Sequence, residues 1–475
     1  MTKALRISLF AVGGFVSLLV LAALALLLFV DADTFKPQLE AAASKAMGLE
    51  VKVGGRLGIG FFPGLHFKLE ELQIHNRGDD LLFAKEAKLG VDLLPLLRTR
   101  VRIGTIALKH PRISIKRDLA GRFNFQNPAR AGRTLLARNL ATISVEDGTF
   151  HYADQKSGNA FTAKDCRLGV QRLRFSGGKS RDLMKNLSLT AKLTCGEVQA
   201  RDFAVSDLKF SVTGKNGAFE LSPLSMHLFG GRGSGKLQAE FGNAAPLYHI
   251  DYTLAQFHLE EFLKNLSPDQ VAEGALDFSA KLSIQGKTTT ELKRSTEGMV
   301  SLQGKNLRLH SVDLDQRIAN FESSQNFNLV DVGALFFAGP LGLVVTKGYN
   351  FASIFQGAGG QSEIHRLVST WKVERGVAQA QDVAMATDEN RLALQGGLDF
   401  VNQRFDEVVV AVIDAEGCAT VRQKIHGTFQ KPLLEKPGII RSLTGPAVNL
   451  MKKGIDLLPG GGCEGFYSGS VAPPK

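Results

Sequence analysis

What most restricts the fold of this chain is a period of two. Between Glu273 and Gly286, Leu276, Phe278, Ala280, Leu282 and Ile284 take every second position and oppose Asp277, Ser279, Lys281 and Ser283. Successive side chains of a strand point to opposite faces, so such a run is a strand with one apolar side. The pattern recurs at Leu57 and Ile59, Leu72 and Ile74, Val101 and Ile103, Ile113 and Ile115, Leu392 and Leu394, and Leu398 and Phe400. The runs are short and end in Gly, Pro, Asn or Asp, which is where the 50 glycines concentrate. At ordinary strand lengths the chain has room for about 20 to 25 strands. Val408 to Ile413 is apolar at every position and is expected to be buried on both faces.

Helical spacing is rare. Asp33 or Thr34 can cap a helix whose stripe runs through Phe35, Leu39, Ala42, Ala43 and Ala46 and stops at Gly48. Asp313 to Phe321 and Leu329 to Ala338 form a helical interruption ending at Gly339-Pro340, and Ile439 to Leu457 reads as a last helix before an irregular tail, Pro459 to Lys475. Glu146-Asp147-Gly148, Asn216-Gly217, Glu273-Gly274, Glu297-Gly298 and Arg375-Gly376 each place polar residues and a glycine before an alternating run. They are expected to be tight turns in which glycine supplies positive φ. Repeated hairpins imply a quasi-one-dimensional sheet, with too few helices to cover its apolar side. The sheet either folds onto itself as a dry sandwich or curls into a trough, on the order of 100 Å long, lined for a ligand. Alternation alone leaves both open.

Ile7 to Val30 contains no charge. As a helix it would be roughly 36 Å long, enough to cross a hydrocarbon core of about 30 Å. Lys3 and Arg6 precede it and Asp31 and Asp33 follow it, so the positive-inside rule keeps residues 1–6 in the cytoplasm and exports the rest. A cleaved signal peptide is the competing reading, though its apolar core is normally about 7 to 15 residues. Anchored to a membrane, an apolar trough has acyl chains as its natural cargo.

The formal net charge of +11 is concentrated: Lys85 to Leu140 holds thirteen Lys or Arg against Glu86, Asp92 and Asp118. An exported domain has no nucleic acid to meet, so the stretch is either a solvated sheet face or a surface for anionic headgroups. Arg98, Arg100 and Arg102 share one strand face and are the candidate headgroup contacts. Four cysteines, Cys166, Cys195, Cys418 and Cys463, have no CxxC spacing. In an oxidising compartment they allow two disulfides in three connectivities, of which Cys166 with Cys195 and Cys418 with Cys463 closes the shortest loops; free buried thiols are the alternative.

Catalytic signatures are weak. Gly230-Gly231-Arg232-Gly233-Ser234-Gly235-Lys236-Leu237 follows a phosphate-binding loop until Leu237 replaces the required Ser or Thr, and a strand pattern follows where a helix is needed. His227 sits in a strand between Met226 and Leu228, and Asp79-Asp80 and Glu260-Glu261 are neighbours in sequence, which suits turns and helix ends better than paired catalysis. No metal or cofactor signature is present in the sequence, and the chain reads as non-enzymatic.

Several strings resemble the AsmA family of Gram-negative inner-membrane proteins. In the N-terminal half they are Phe35-Lys36-Pro37-Gln38-Leu39-Glu40, Val53-Gly54-Gly55-Arg56-Leu57, Phe61-Phe62-Pro63-Gly64, Leu93-Leu94-Pro95-Leu96-Leu97, His110-Pro111-Arg112-Ile113-Ser114 and Gly121-Arg122-Phe123-Asn124. In the C-terminal half they are Leu282-Ser283-Ile284-Gln285-Gly286-Lys287-Thr288, Glu297-Gly298-Met299-Val300-Ser301-Leu302, Ser311-Val312-Asp313-Leu314 and Lys424 to Pro432. The resemblance implies an inner-membrane anchor, a periplasmic body, a role in outer-membrane biogenesis and lipid homeostasis, and kinship with chorein-type groove proteins that conduct phospholipid.

The expected organisation is therefore a cytoplasmic terminus (1–6), a transmembrane helix (7–30), a juxtamembrane helix (31–48), AsmA-like β regions at 49–270 and 271–435 with a helical insertion near 313–338, and a C-terminal helix and tail (436–475). The fold class is mainly β, an elongated, curled antiparallel trough. Leu276, Phe278, Leu282, Ile284, Leu392, Leu394, Leu398 and Phe400 are the candidate lining, with phospholipid as partner and no cofactor. The alternative function is a periplasmic scaffold that binds outer-membrane or periplasmic proteins at a sheet edge and aids their targeting and insertion.

Overall fold

The computed structural model describes residues 32–60, 64–91, 103–126, 142–175, 183–201, 203–264, 272–310, 312–324, 359–435, 438–439 and 465–474. The expected transmembrane helix, the Leu329–Ala338 helix and residues 440–464 lie outside them. No described helix is long and apolar enough to cross a membrane. The chain is mainly β, almost entirely antiparallel, with few helices. It divides into two compact units, Met1–Arg181 with Asn186–Arg201, and Asp182–Lys185 with Asp202–Lys475.

The first unit contains β1 (Glu50–Val53), β2 (Leu57–Gly60), β3 (His66–Asn76), β4 (Asp79–Val91), β5 (Ile103–Arg117), β6 (Thr142–Asp154), β7 (Asn159–Phe175) and β8 (Leu187–Ala200). β1 and β2 both pair with β3, and pairing then runs in chain order to β8. The β5–β6 pair is parallel, as expected where a long connection rather than a hairpin joins two strands. Helix α1 (Lys36–Met47) closes one end. Leu39 and Ala43 pack on the cluster of Val51, Val53, Leu57, Leu69 and Leu72. Its polar side chains finish the backbone of the edge strands: Val51 N donates to Ser44 Oγ (2.9 Å), Val53 N to Glu40 Oε1 (2.7 Å), and Lys36 Nζ to Gly55 O (2.8 Å). Asp33, considered as a cap, accepts from Leu57 N at 2.8 Å. A covered edge cannot template further pairing. Cys166 and Cys195 are disulfide-bonded across β7 and β8, and Cys418 is disulfide-bonded in the second unit.

The second unit contains β9 (Ala204–Lys215), β10 (Ala218–Leu228), β11 (Gly231–Glu240), β12 (Leu247–His258), β13 (Ala272–Glu273), β14 (Ala275–Gln285), β15 (Glu297–His310), β16 (Gln361–Glu374), β17 (Val377–Ala386), β18 (Arg391–Asp399), β19 (Arg404–Ile413), β20 (Ala419–Thr428), β21 (Lys431–Leu434) and β22 (Gly438–Ile439). It is an antiparallel meander from β9 to β20; β12 pairs directly with β14, β13 pairs with β15, and β21 and β22 pair with β20. Ile439 is paired with Val421 as strand, where a helix was expected to begin. Helices α2 (Leu259–Leu263), α3 (Thr289–Ser295) and α4 (Leu314–Ser324) interrupt the meander, α4 close to the expected Asp313–Phe321.

The glycine motifs divide into two kinds. Asn216-Gly217 and Arg375-Gly376 are two-residue hairpin turns with both φ positive (51° and 84°, 50° and 79°). Asp147-Gly148 lies inside β6, where Asp147 at φ 51° makes a bulge opposite Cys166. Glu273-Gly274 and Glu297-Gly298 adjoin strand starts rather than hairpins. Bulges with left-handed residues recur at Asp165 in the first unit, and at Asp207, Gln256 and Glu407 in the second. Each one bends its strand and adds local twist.

Candidate functional site

The apolar face of the second unit is one surface by register and two by environment. Leu276, Phe278, Leu282 and Ile284 on β14 stand beside Phe257, Leu254, Ile250 and Tyr248 on β12, and that face continues through Leu237 and Ala239 of β11, Leu221, Leu224 and Met226 of β10, and Phe210 and Val212 of β9. In the other direction it runs through Val300 and Leu302, then Trp371 and Leu367, to Leu392, Leu394 and Leu398. The sequence-predicted lining residues therefore do share a side.

They do not share a fate. Leu392, Leu394 and Leu398 are 0%, 2% and 0% exposed, inside a cluster with Trp371, Met385, Val408 and Val410, and Leu276 is 1% exposed in the same cluster. These four are protein core and line no open groove. Their burial has a physical cause. Leu259, Phe262 and Leu263 of α2 and Leu314 and Ile318 of α4 pack into that cluster, and Phe400 meets Phe429 edge-on at 5.7 Å. Phe278 and Leu282 lie half-buried at its border, while Ile284 is half-buried outside it. Val408–Ile413 is covered on both sides as the sequence indicated: Val408, Val410 and Val412 face the main core, and Ala411 and Ile413 meet Phe466 and Val471. Residues 465–474 are held there by Arg391, which donates to Val471 O at 3.0 Å, and by Asp382, which accepts from Ser470 N and from the Tyr467 hydroxyl.

Away from α2, which packs on Phe257 and Phe229, nothing described fills the face over β9 to β12. Phe210, Val212, Leu221, Leu224, Met226, Leu237 and Ile250 are half-buried and belong to none of the buried clusters. Sequence reasoning passed over these strands because Gly231, Gly233 and Gly235 interrupt the alternation in β11 and Pro223 interrupts it in β10. The signal was present in Leu221, Leu224 and Met226 once a bulge at Pro223 is allowed. The open face ends at Tyr252, which packs on the core near Phe278, ring centroids 6.5 Å apart. Burial pushes the Tyr252 phenol above its usual range. The opposite, polar face bounds a cavity of about 800 Å³ whose charges alternate in sign: Lys281 is 4.0 Å from Asp251 and Lys372 is 2.5 Å from Glu374.

Arg98, Arg100 and Arg102 lie outside the described residues. The described part of the basic stretch is mostly paired internally: Lys88 and Lys109 with Glu86, Lys116 with Asp79, Arg117 with Asp154, and Arg122 with Asp118. Arg112 lies over the Phe83 ring at 6.0 Å. Gly231–Lys236 is strand β11, which offers no helix N-terminus for a phosphate. His227 contacts Asp207 at 3.4 Å, and no metal-binding cluster occurs among the described residues.

Comparison with protein families matches residues 1–193 and 136–383 to the AsmA family, two overlapping segments that together span most of the chain. The chain belongs to the AsmA family. The strings that resembled it in sequence now have positions: Val53 to Leu57 joins β1 to β2 beneath α1, and Glu297 to Leu302 begins β15. AsmA membership suggests a role in outer-membrane and lipid-related biogenesis, and the family is not known as enzymatic. No curated protein matches the chain at a significant level.

Proposed function

We propose that this AsmA-family protein is a non-enzymatic, inner-membrane-anchored periplasmic protein that binds or conducts phospholipid along an apolar β groove. The observation that carries this reading is the half-buried apolar face of β9 to β12 beyond the end that α2 packs on, which no described element covers although the same face is densely packed from β15 to β20. Apolar surface left in water costs about 25 cal/mol per Å². A contiguous patch of this kind marks a binding surface. Acyl chains satisfy it without hydrogen bonds, and the uncharged segment Ile7 to Val30 supports a source of them at the membrane.

The test is native mass spectrometry of the full chain extracted in mild detergent. Bound phospholipid is expected in the wild type. It should be lost in Leu237→Asp, whose circular dichroism and unfolding midpoint stay close to wild type because the side chain is outside the core. A lipid-free wild type, or a Leu237→Asp variant that retains lipid, contradicts the reading.

A further inference from the structure

The glycine run that imitates a phosphate-binding loop has another purpose in the fold. Gly235 is in register with Tyr252, and Gly233 with Leu254. A methyl group added at Gly233 would collide with the Tyr252 hydroxyl and come within 2.8 Å of Met226 Cγ; one added at Gly235 would approach Tyr252 Cδ2 at 3.2 Å. The glycines are a bed on which the tyrosine ring lies. They bring its hydroxyl to the middle of the apolar face, at the seam between the open strands and the filled core.

That hydroxyl is closed off from solvent and has no hydrogen-bond partner among the described residues. A buried donor without an acceptor is a cost the fold tolerates only for a reason. Burial also keeps the phenol protonated, hence a donor at neutral pH. Its neighbours on this face are Ile250, Leu254 and Ala280, whereas Lys236, Asp251 and Lys281 point the other way by alternation. With no cation on this face among the described residues to receive an anion, the fitting acceptor is neutral and carried on an apolar molecule. Met226, unbranched and flexible, lies over the same glycine and can move aside.

We propose that Tyr252 donates a hydrogen bond to an ester carbonyl of a bound diacyl lipid, and so sets where along the strands the glycerol end of that lipid rests. This rests on the lipid reading above. It adds the chemical class of the ligand, an acyl ester, and the residue that recognises it.

The experiment separates the two claims. Full-length protein in detergent is exchanged against vesicles of diester phosphatidylethanolamine or of its diether analogue, which lacks the carbonyls, and retained lipid is counted by native mass spectrometry. The wild type is expected to retain the diester about fivefold better, the size of one net hydrogen bond. Tyr252→Phe should hold both equally, with an unfolding midpoint unchanged or raised because an orphaned polar atom has gone. Equal retention of both lipids by the wild type, or a preference that survives in Tyr252→Phe, overturns the assignment. So does a lowered midpoint in lipid-free Tyr252→Phe, which would give the hydroxyl a structural partner. Failure of the wild type to retain either lipid overturns the lipid reading itself, and this inference with it.

Discussion

Strands β9–β12 and β15–β20 carry the same alternation on the same side of one sheet, yet Phe210, Leu221, Leu224, Met226, Leu237 and Ile250 of the first set are left half-buried, whereas the second set buries its apolar side chains almost completely. The difference is cover. β15–β20 share their buried cluster with Leu314 and Ile318 of α4 on one face and meet Phe466 and Val471 on the other, while α2 covers the adjoining end of β12, where Phe262 meets Phe257 at 6.3 Å. Over the rest of the β9–β12 face the described chain supplies no comparable layer, and three glycines thin β11. An amphipathic strand therefore fixes which side is apolar, while elements distant in sequence decide whether that side becomes core or surface.

Substitutions should break this comparison unequally. The largest effect is expected at Trp371, 1% exposed in the filled half with its indole N–H donating to Ser369 Oγ at 2.8 Å. Trp371→Ala should cost about 3–5 kcal/mol in denaturant unfolding; a loss under 1 kcal/mol would mean the cluster is not a packed core. Next is the disulfide of the first unit. Replacing Cys166 and Cys195 by Ser opens a cross-link spanning 29 residues and should cost about 3 kcal/mol. Lipid retention should be untouched if the second unit alone holds it.

Leu221→Asp, on the open face, should cost less than about 1 kcal/mol and still abolish lipid retention. The same change at Leu398 should prevent folding, because it buries an unpaired charge. Equal destabilisation at both positions would erase the distinction between the halves.

The smallest effect concerns pH. Burial works to raise the Glu86 carboxyl, but the Lys68 hydrogen bond and the charges of Lys68, Lys109 and Lys88 outweigh it and hold it below the usual range. A carboxyl lower in the folded state stabilises above the unfolded pKa, about 4.3, and loses that contribution as pH falls through its folded value. Glu86→Gln should therefore lower the urea midpoint at pH 6 and differ less from wild type at pH 3.5. A constant difference at both pH values would deny that the three lysines act on Glu86.

The sequence made the sheet legible because alternation is local: Leu276 to Ile284 sets its own inward side, and Val408 to Ile413 announces burial on both faces. Cover was not legible, since burial of Leu392 and Leu398 depends on a cluster assembled from strands β12 to β20 with α2 and α4, which no local pattern encodes. Nor could spacing separate the hairpin turn at Asn216-Gly217 from the bulge at Asp147-Gly148, because both need a left-handed residue followed by glycine. Tyr252 was hidden for a related reason: its glycine bed lies one strand away and resembled another motif.

The most direct measurement is photolabelling of the wild-type protein with a phosphatidylethanolamine whose acyl chain carries a diazirine, followed by peptide mapping. Adducts are expected on Leu221, Leu224, Met226, Leu237 and Ile250 of β10–β12 and at Phe278 and Leu282, and none on β16–β20. Labelling spread evenly over both halves, or confined to residues other than these, would contradict the account.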